Sequence, residues 1–281
     1  MSDQTAVVSR FHELHAEGCF VLPNPWDTGS AIYLEHLGFN ALATTSAGFA
    51  FSRGLPDSVV AVPRDPVLDH CREIVGATSL PVNADFQNGY ADEPEGVAAN
   101  VARCVATGVA GLSIEDSSGN SAMPLYDFTL AVERIKAARS AIDASKIPVV
   151  LTARCEAWLV GASDPLRTAL DRLVAFAEAG ADCLYAPGVG RPEEIAAIVK
   201  AVSPRAVNVL VSKFNCDLTV PQLAELGVRR ISVGSALANV AWGAFMNAAR
   251  SIKDTGAFES LSNAAPFAEL NDLFARRSSG Q

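Results

Sequence analysis

The stretch Pro81-Val82-Asn83-Ala84-Asp85-Phe86-Gln87-Asn88-Gly89-Tyr90 is a short apolar run that ends in a carboxylate and then breaks into small polar residues. A run of the same kind, Leu112-Ser113-Ile114-Glu115-Asp116-Ser117, follows along the chain. Between them, residues 95–107 carry apolar side chains at helical spacing. This order of strand, helix and strand predicts a βαβ unit, whose two parallel strands end at the same edge of a sheet.

Asp85 and Glu115 are therefore expected at neighbouring strand tips that face one another. Carboxylate oxygens placed in this way hold Mg²⁺, or Mn²⁺ in its place, together with water and an anionic substrate. Acidic residues at strand ends also cap helices and turn the chain, and for Asp116 this reading is as strong as a site role. The rest of the chain has to decide between the two readings.

The charge balance is acidic, with 22 Lys and Arg against 31 Asp and Glu, a net charge of −9. Such a chain repels nucleic acid and anionic membranes, so an anionic substrate needs a local cation or metal. The N-terminus lacks a basic start before an apolar run, and no stretch is long and apolar enough to span a bilayer. These features predict a cytoplasmic protein.

Cysteine and histidine chemistry is largely excluded by position. The six cysteines stand singly, without zinc-type spacing, and only Cys155 follows a strand end. All four histidines lie in the first quarter of the chain, so a catalytic histidine from its middle or end is ruled out. A Ser-His-Asp or Cys-His arrangement is not expected.

Eight strand patterns alternate with eight helical patterns. The strands are predicted at 19–22, 41–45, 80–85, 111–115, 148–153, 182–186, 207–211 and 230–233. The helices are predicted at 29–37, 64–77, 95–107, 127–144, 164–179, 192–202, 220–226 and 236–253. Eight units favour one (β/α)₈ TIM-type barrel over residues 1–281, although alternation alone is also consistent with an open, doubly wound sheet.

Two further helical segments flank the barrel pattern. Residues 5–17 are placed to close the barrel floor. The segment at about 255–277 carries an apolar face at helical spacing, and such a face needs a partner surface. We expect this C-terminal segment to pack on a partner subunit in a homo-oligomer, a dimer or tetramer.

In a barrel, the residues that follow the strands build the site. Asp27 and Asp57 have strong local explanations as a helix cap and a turn residue. Ser46-Ala47-Gly48 is a tight loop, or a nest of backbone N–H groups for a carboxylate. Asn208 and Lys213 follow the seventh strand.

Arg154 ends the apolar run of the fifth strand and needs a partner there. Glu156 or Glu115 is the structural candidate, and a substrate carboxylate, which we favour slightly, is the functional one. The metal hypothesis requires that the two acidic tips lie together and that no internal arginine fills the space that a cation and its ligand need.

Several stretches, in the same order, are similar to the isocitrate lyase and phosphoenolpyruvate mutase superfamily. They are Ser46-Ala47-Gly48, Ser52-Arg53-Gly54-Leu55-Pro56-Asp57, Asn83-Ala84-Asp85-Phe86-Gln87-Asn88-Gly89-Tyr90, Ile114-Glu115-Asp116, Thr152-Ala153-Arg154 and Asn208-Val209-Leu210. The resemblance extends from about Leu22 to Ala238. It implies a barrel that assembles as dimers of dimers, a homotetramer, by exchanging its C-terminal helix. It also implies a Mg²⁺-dependent site for small α-oxo acids.

The resemblance also implies roles for individual residues. Asp85 would be the main metal ligand, Glu115 would hold metal-bound water, and Asp57 would stand beside the metal waters. Arg154 and Asn208 would contact the substrate. The substrate carboxylate or oxygen would be bound by Ser46, Ala47 and Gly48.

Two departures from the superfamily pattern limit the chemistry. Its lyases carry a Cys and a His in a mobile loop after the fourth strand, whereas residues 117–127 contain neither. The paired Asp-x-Asp of the third strand is reduced to Asn83-x-Asp85. Cleavage of isocitrate or 2-methylisocitrate by the usual route needs the loop Cys, but decarboxylation or retro-aldol release does not.

The sequence thus predicts a Mg²⁺-dependent carbon–carbon lyase for an oxaloacetate-type α-oxo acid, with charge moving into a metal-stabilised enolate and Arg154 as charge stabiliser. One alternative is carbon–phosphorus chemistry, as in phosphonopyruvate mutase or hydrolase, with Lys213 and Arg53 meeting the phosphonate. Another is a barrel that binds a ligand without catalysis.

Overall fold

Eight parallel strands form the centre of the computed structural model, which describes residues 2–212 and 217–278. The strands are β1 (Phe20–Leu22), β2 (Leu42–Ala43), β3 (Val82–Asp85), β4 (Gly111–Glu115), β5 (Val150–Arg154), β6 (Cys183–Tyr185), β7 (Ala206–Leu210) and β8 (Arg230–Ser232). Their order is β1-β8-β7-β6-β5-β4-β3-β2, and every pairing is parallel. A hydrogen bond of 3.0 Å from the Ala43 N–H to the Pro23 carbonyl joins the two ends of the sheet. The predicted TIM-type barrel is confirmed.

Helices surround the strands. They are α1 (Ser2–Ala16), α2 (Thr28–His36), α3 (Ser46–Ser52), α4 (Arg64–Ala77), α5 (Pro94–Val105), α6 (Phe128–Ser145), α7 (Pro165–Glu178), α8 (Pro192–Val202), α9 (Val220–Glu225), α10 (Ala236–Thr255) and α11 (Phe267–Ser278). A 3-10 helix, Glu259–Asn263, lies between the last two. Asp27 caps α2 through a reciprocal pair of hydrogen bonds with Ser30, as its sequence position predicts.

Two predicted segments differ from the structure. The loop predicted at Ser46-Ala47-Gly48 is the first turn of α3, because the Thr45 hydroxyl accepts the Gly48 N–H at 3.2 Å and caps a helix there. The continuous helix predicted near the C-terminus is interrupted before α11. Pro266 disfavours helical geometry in the residue before it, so the chain breaks there.

Helix α1 closes the floor of the barrel, as predicted. The Phe11 side chain is fully buried, and a Cβ atom on Gly111 of β4 would lie 2.7 Å from its ring. This close contact requires glycine at position 111. At the same end, His12 Nε2 lies 2.6 Å from the Pro148 carbonyl, directly before β5.

The two faces of the barrel strands differ in polarity. Outward residues such as Leu112, Leu151 and Val209 are buried against the helices. Inward positions, which in most TIM barrels carry branched apolar side chains, are here mainly polar. They include Asn83, Asp85, Ser113, Glu115, Thr152, Arg154, Asn208, Arg230 and Ser232. A polar interior leaves the centre of the barrel open to a ligand from the carboxyl ends of the strands.

The C-terminal segment exposes large apolar side chains. On α10, Val240 is 71% exposed and Phe245 is 60% exposed, and farther on Phe267 is 84% exposed. Helix α11 also touches α2 of its own chain, since a Cβ on Gly29 would lie 3.6 Å from the Phe274 ring. Packing of this segment on a partner subunit stays a prediction. Of the described helices, even the 20-residue α10 lacks the apolar length of a bilayer crossing.

Two buried histidines predict a loss of stability in mild acid. Burial, with Arg230 nearby, lowers the pKa of His15 to about 3, and burial, with Arg53 nearby, lowers that of His70 to about 4. Below about pH 6.5 the unfolded chain binds protons that the folded chain does not, so the free energy of unfolding falls with pH. We expect a loss of about 2 kcal/mol per histidine between pH 7 and pH 5.

Urea unfolding at several pH values measures this effect, and His70→Gln is the matched variant. His70 stacks on Phe49 with ring centroids 4.1 Å apart and lies outside the cavity lining. The variant should lose the contribution of one histidine, so its free energy of unfolding should fall by about 2 kcal/mol less than that of the wild type between pH 7 and pH 5. An unchanged slope in His70→Gln would show that another group is responsible.

Candidate active site

A cavity of about 400 Å³ opens at the carboxyl ends of the strands and reaches into the barrel. Most of the predicted site residues line it, namely Ser46, Ala47, Asp57, Asp85, Glu115, Arg154 and Asn208. Gly48, in the same turn of α3, is buried, donates its N–H to the Thr45 hydroxyl and is not part of the lining. Lys213 lies outside the described residues.

Arg154 is the centre of the charged cluster. Its Nη1 lies 2.8 Å from Asp85 Oδ1, its Nη2 lies 3.1 Å from Glu115 Oε2, and its Nη2 lies 2.9 Å from Glu156 Oε1. The Tyr185 ring packs against the guanidinium, 5.1 Å from Cζ to the ring centroid. Of the partners predicted for Arg154, the structure shows both protein carboxylates, Glu115 and Glu156, and it shows Asp85 as a third partner.

The cluster carries more negative than positive charge. Burial raises the pKa of Glu115 well above its usual range, against the opposing effect of Arg154, and the carboxylates of Glu156, Asp85 and Asp57 raise it further. Burial is also the main cause of the raised pKa values of Glu156 and Asp57. For Arg154, burial lowers the pKa, but Glu156, Glu115 and Asp85 together hold it well above the usual value. Four carboxylates around one guanidinium favour either a proton or an added cation.

Asp85 is held on both sides by the chain after β2. The Ser46 N–H at the start of α3 donates to Asp85 Oδ2 at 3.0 Å, and the Asp85 N–H donates to the Thr44 hydroxyl at 2.8 Å. The Ser46 hydroxyl also donates a long hydrogen bond of 3.4 Å to Asp57 Oδ2. The helix start that sequence reasoning missed therefore orients the predicted metal ligand.

Arginine does stand between the acidic tips, but it does not fill the site, because the cavity extends past it. No three His, Cys, Asp or Glu side chains in the described parts of the chain form a ready-made metal cage. Buried Asn83 Oδ1, one layer below Asp85 on β3, has no hydrogen-bond partner. The carboxylate oxygens of the cluster, with their excess of negative charge, fit Mg²⁺, which binds through few carboxylates and keeps several waters.

The loop after β4 folds back on itself at the mouth of the cavity. Ser117 pairs with Leu125 in an antiparallel bridge, and the Ser118 N–H donates to the Pro124 carbonyl at 2.9 Å. Ser117 and Gly119 contribute to the lining. The loop brings hydroxyl and backbone groups to the site, but no thiol and no imidazole.

Three other candidates from the sequence lie away from the cavity. Asp116 accepts the Glu156 N–H at 2.8 Å and pairs with Arg172 at 3.1 Å, so it helps to position Glu156, a partner of Arg154. Cys155 is fully buried, and burial raises the pKa of its thiol. Arg53 lies 5.2 Å from the Phe49 ring centroid and is not among the lining residues.

Sequence reasoning missed Arg230, which lies in the cavity floor. It donates from Nε to Asn208 Oδ1 at 2.9 Å and from Nη2 to Thr152 Oγ1 at 3.0 Å. A signal was present in the sequence, because Arg230 belongs to the apolar strand Arg230-Ile231-Ser232-Val233, and an arginine in an apolar strand was the reason to select Arg154. Arg230 was missed because only residues at the carboxyl ends of strands were considered.

The closed parallel barrel and the carboxylate-rich cavity at its strand ends agree with the barrel that the resemblance implies. Comparison with known proteins confirms the resemblance to the isocitrate lyase and phosphoenolpyruvate mutase superfamily. The chain belongs to the phosphoenolpyruvate phosphomutase family, whose sequence profile matches residues 11–253.

Individual relatives cover most of the chain. An uncharacterized protein of Mycobacterium tuberculosis is 36% identical over 92% of this chain and 94% of its own length. An oxaloacetate decarboxylase of Paraburkholderia xenovorans is 30% identical over 79% of this chain and 73% of its own. A solved structure from Burkholderia cenocepacia, provisionally assigned to the lyases and mutases, is 45% identical with a TM-score of 0.94, and 98% of each chain is covered.

Proposed function

We propose that the protein is a Mg²⁺-dependent carbon–carbon lyase for a small α-oxo acid of the oxaloacetate type, acting by decarboxylation or retro-aldol cleavage. The observation that carries the proposal is Arg154, held in the cavity by Asp85, Glu115 and Glu156. This cluster offers oxygen ligands for a cation beside a fixed guanidinium. The similarity to an oxaloacetate decarboxylase supports the choice of substrate class.

The residues divide the work by position. Asp85 and Glu115 would hold Mg²⁺ and its waters, and Asp57 would accept hydrogen bonds from those waters. Mg²⁺, when bound, supplies Lewis-acid stabilisation of the negative charge that develops on the α-oxo group. The Ala47 N–H, at the first turn of α3, and the Ser46 hydroxyl would bind the adjacent carboxylate, because a backbone N–H at a helix start lacks a partner within the helix. The Ser46 N–H already donates to Asp85 Oδ2.

Bond cleavage needs little further help from the protein. The bond beyond the β-carbon breaks, its electron pair moves toward the α-oxo oxygen, and Arg154 stabilises the new charge. The leaving group is carbon dioxide or, in a retro-aldol cleavage, a carbonyl compound whose hydroxyl proton passes to a carboxylate of the cluster or to water as the bond breaks. Neither leaving group needs a proton from the enzyme. Solvent returns a proton to the β-carbon, which agrees with a mouth loop that has no Cys or His.

Incubation of the purified protein with Mg²⁺ and a panel of acids tests the proposal. The panel contains oxaloacetate, its β-substituted homologues and 3-phosphonopyruvate, with and without EDTA. We expect metal-dependent release of carbon dioxide or a carbonyl product from the carbon acids alone. Phosphate release or rearrangement of the phosphonate would replace the proposal with carbon–phosphorus chemistry, and binding without any turnover would identify a ligand-binding barrel.

Carbon–phosphorus chemistry is the second candidate, because the matching family profile is that of phosphoenolpyruvate phosphomutase. We rank it second because Arg154 is already shared by three carboxylates, so the cluster offers a phosphonate little free positive charge. Arg53 is not among the lining residues.

We also propose that the exposed apolar face of α10 and the C-terminal segment is covered in a homo-oligomer, a dimer or a homotetramer. The variant Phe245→Glu combined with Phe267→Glu should dissociate the assembly, because each change buries a charge in an apolar interface. Light scattering coupled to size exclusion measures the mass. Met123→Glu, at a side chain 67% exposed on the mouth loop, is the control that should leave the mass unchanged. A monomeric wild-type protein would refute this.

A further inference from the structure

Arg230 occupies an unusual position for an arginine. Its side chain points into the barrel from β8, is only 2% exposed, and forms part of the cavity floor below the carboxylate cluster. Barrels usually fill this layer with branched apolar residues. A buried cation here is costly unless something compensates its charge.

The partners of the Arg230 guanidinium are all neutral. Besides Asn208 and Thr152, its Nη1 lies 3.3 Å from His15 Nε2 of α1. His15 Nδ1 is 2.7 Å from the Phe11 carbonyl, so Nδ1 carries the proton and Nε2 accepts from Arg230. Burial and Arg230 lower the pKa of His15 to about 3, so this imidazole is uncharged at neutral pH.

Carboxylates in the described part of the chain do not neutralise Arg230. No Asp or Glu oxygen there lies within 4.0 Å of it, whereas Arg154 in the same cavity has three carboxylate partners. The two cavity arginines therefore differ in what they offer to an anion. Arg154 is compensated by the protein itself, and Arg230 keeps its positive charge for a ligand.

The same network orients Asn208. Its Oδ1 accepts from Arg230, and its Nδ2 donates to the Ser232 hydroxyl at 2.9 Å. Asn208, Ser232 and Arg230 all contribute to the cavity lining, so amide, hydroxyl and guanidinium groups lie together on the floor. This combination is typical of a site for a carboxylate.

We propose that Arg230, with Asn208 and Ser232, forms a floor subsite for a second anionic group, so that the substrate is a dianionic acid lying along the barrel axis. The inference rests on the proposed function, under which the second group is a carboxylate. One end of the substrate then lies at the cluster of Arg154, and the other end contacts Arg230. The subsite selects dicarboxylic over monocarboxylic α-oxo acids.

Oxaloacetate and 2-oxobutyrate form the matched pair of probes, because both have four carbons and differ in a terminal carboxylate against a methyl group. Their dissociation constants are measured by calorimetry in the presence of EDTA, so that the proposed Mg²⁺-dependent reaction does not consume oxaloacetate during the titration. The preference of the wild-type protein for oxaloacetate should fall by about tenfold or more in Arg230→Met, as expected for loss of a charged contact. The constant for 2-oxobutyrate should stay within about threefold.

Arg230→Lys keeps the charge and should retain part of the preference, which protects the test if the Met variant folds poorly. Arg172→Met removes a different, partly buried arginine, one paired with Asp116 outside the cavity, and should leave the preference unchanged. If both Arg230→Met and Arg230→Lys bind the two acids more weakly by the same factor, Arg230 has a structural role, and the subsite proposal is overturned. An unchanged preference, or a wild-type protein that does not distinguish the acids, would overturn it as well.

The outcome is separable from that of the proposed function, because binding does not require turnover. An Arg230-dependent preference for 3-phosphonopyruvate over oxaloacetate would keep the anion subsite and count against the carbon–carbon lyase. Turnover of oxaloacetate with a preference that ignores Arg230 would keep the lyase and remove the subsite.

Discussion

An Asp85→Asn variant is expected to lose about three orders of magnitude in kcat/KM for the Mg²⁺-dependent reaction, or roughly 4 kcal/mol of transition-state stabilisation. The Asp85 carboxylate accepts the Ser46 N–H, and the Asp85 backbone N–H donates to the Thr44 hydroxyl, so the chain after β2 holds this residue in place. Asparagine has the same shape and still accepts from Ser46. It lacks the charge that holds a divalent cation.

The fold should survive this change. Arg154 keeps Glu115 and Glu156 as partners, and the variant lowers the excess of negative charge in the cluster. The measurement is a titration of activity with Mg²⁺, together with a thermal unfolding curve. Asp27→Asn is the control, because asparagine caps a helix as well as aspartate and Asp27 lies in the cap of α2. Wild-type activity that a chelator leaves unchanged, or an Asp85→Asn variant as active as the wild type with Mg²⁺ present, would refute the metal-dependent scheme.

The architecture was accessible from the sequence because local signals agree with the fold. Strand β4 begins and ends at the predicted residues, and α4 does too. Gly108, Gly180 and Gly227 adopt positive φ angles at the predicted helix ends, where an L side chain would be strained. Each of these features is decided by a few neighbouring residues.

Helix α3 and Arg230 were not accessible in the same way, for different reasons. Helix α3 has seven residues, and its start depends on a threonine cap that reads equally well as a loop. Arg230 bonds to residues 22, 78 and 215 positions away, Asn208, Thr152 and His15, so its surroundings exist only in the closed barrel. The residue type of Arg230 can be read from the sequence, but its neighbours cannot.

The sequence predicted which residues belong to the candidate site, but not how their side chains contact one another. Asp85, Glu115 and Arg154 were each identified from strand ends, and their meeting follows from adjacent strands in the sheet. The alternatives left open for Arg154 were a carboxylate of the protein or one of the substrate. The barrel brings three carboxylates within 3.1 Å of it, and this crowding comes from tertiary structure.

The consequence of that crowding is the second large effect. An Arg154→Gln variant should lose about 3–5 kcal/mol of stability, because three buried carboxylates lose their counter-charge. It should also lose most of its activity, since the stabiliser of the developing charge is gone. Arg154→Lys keeps a positive charge and should recover much of the stability, but less of the activity, because lysine does not reproduce the forked geometry.

The response of the Arg154→Gln variant to Mg²⁺ distinguishes a metal site from an ion cluster that has only a structural role. If the carboxylates form a cation site, removal of Arg154 leaves a more negative site, and Mg²⁺ should raise the melting temperature of Arg154→Gln more than that of the wild type. Thermal unfolding with and without Mg²⁺ at constant ionic strength measures the difference, with Arg172→Met as the control for loss of a partly buried, carboxylate-paired arginine elsewhere. If Mg²⁺ leaves the melting temperature of Arg154→Gln unchanged, the carboxylates do not bind the cation, and their role in the wild type is to hold Arg154. In that case the Arg154 guanidinium of the wild-type protein is the main electrophilic group of the cluster.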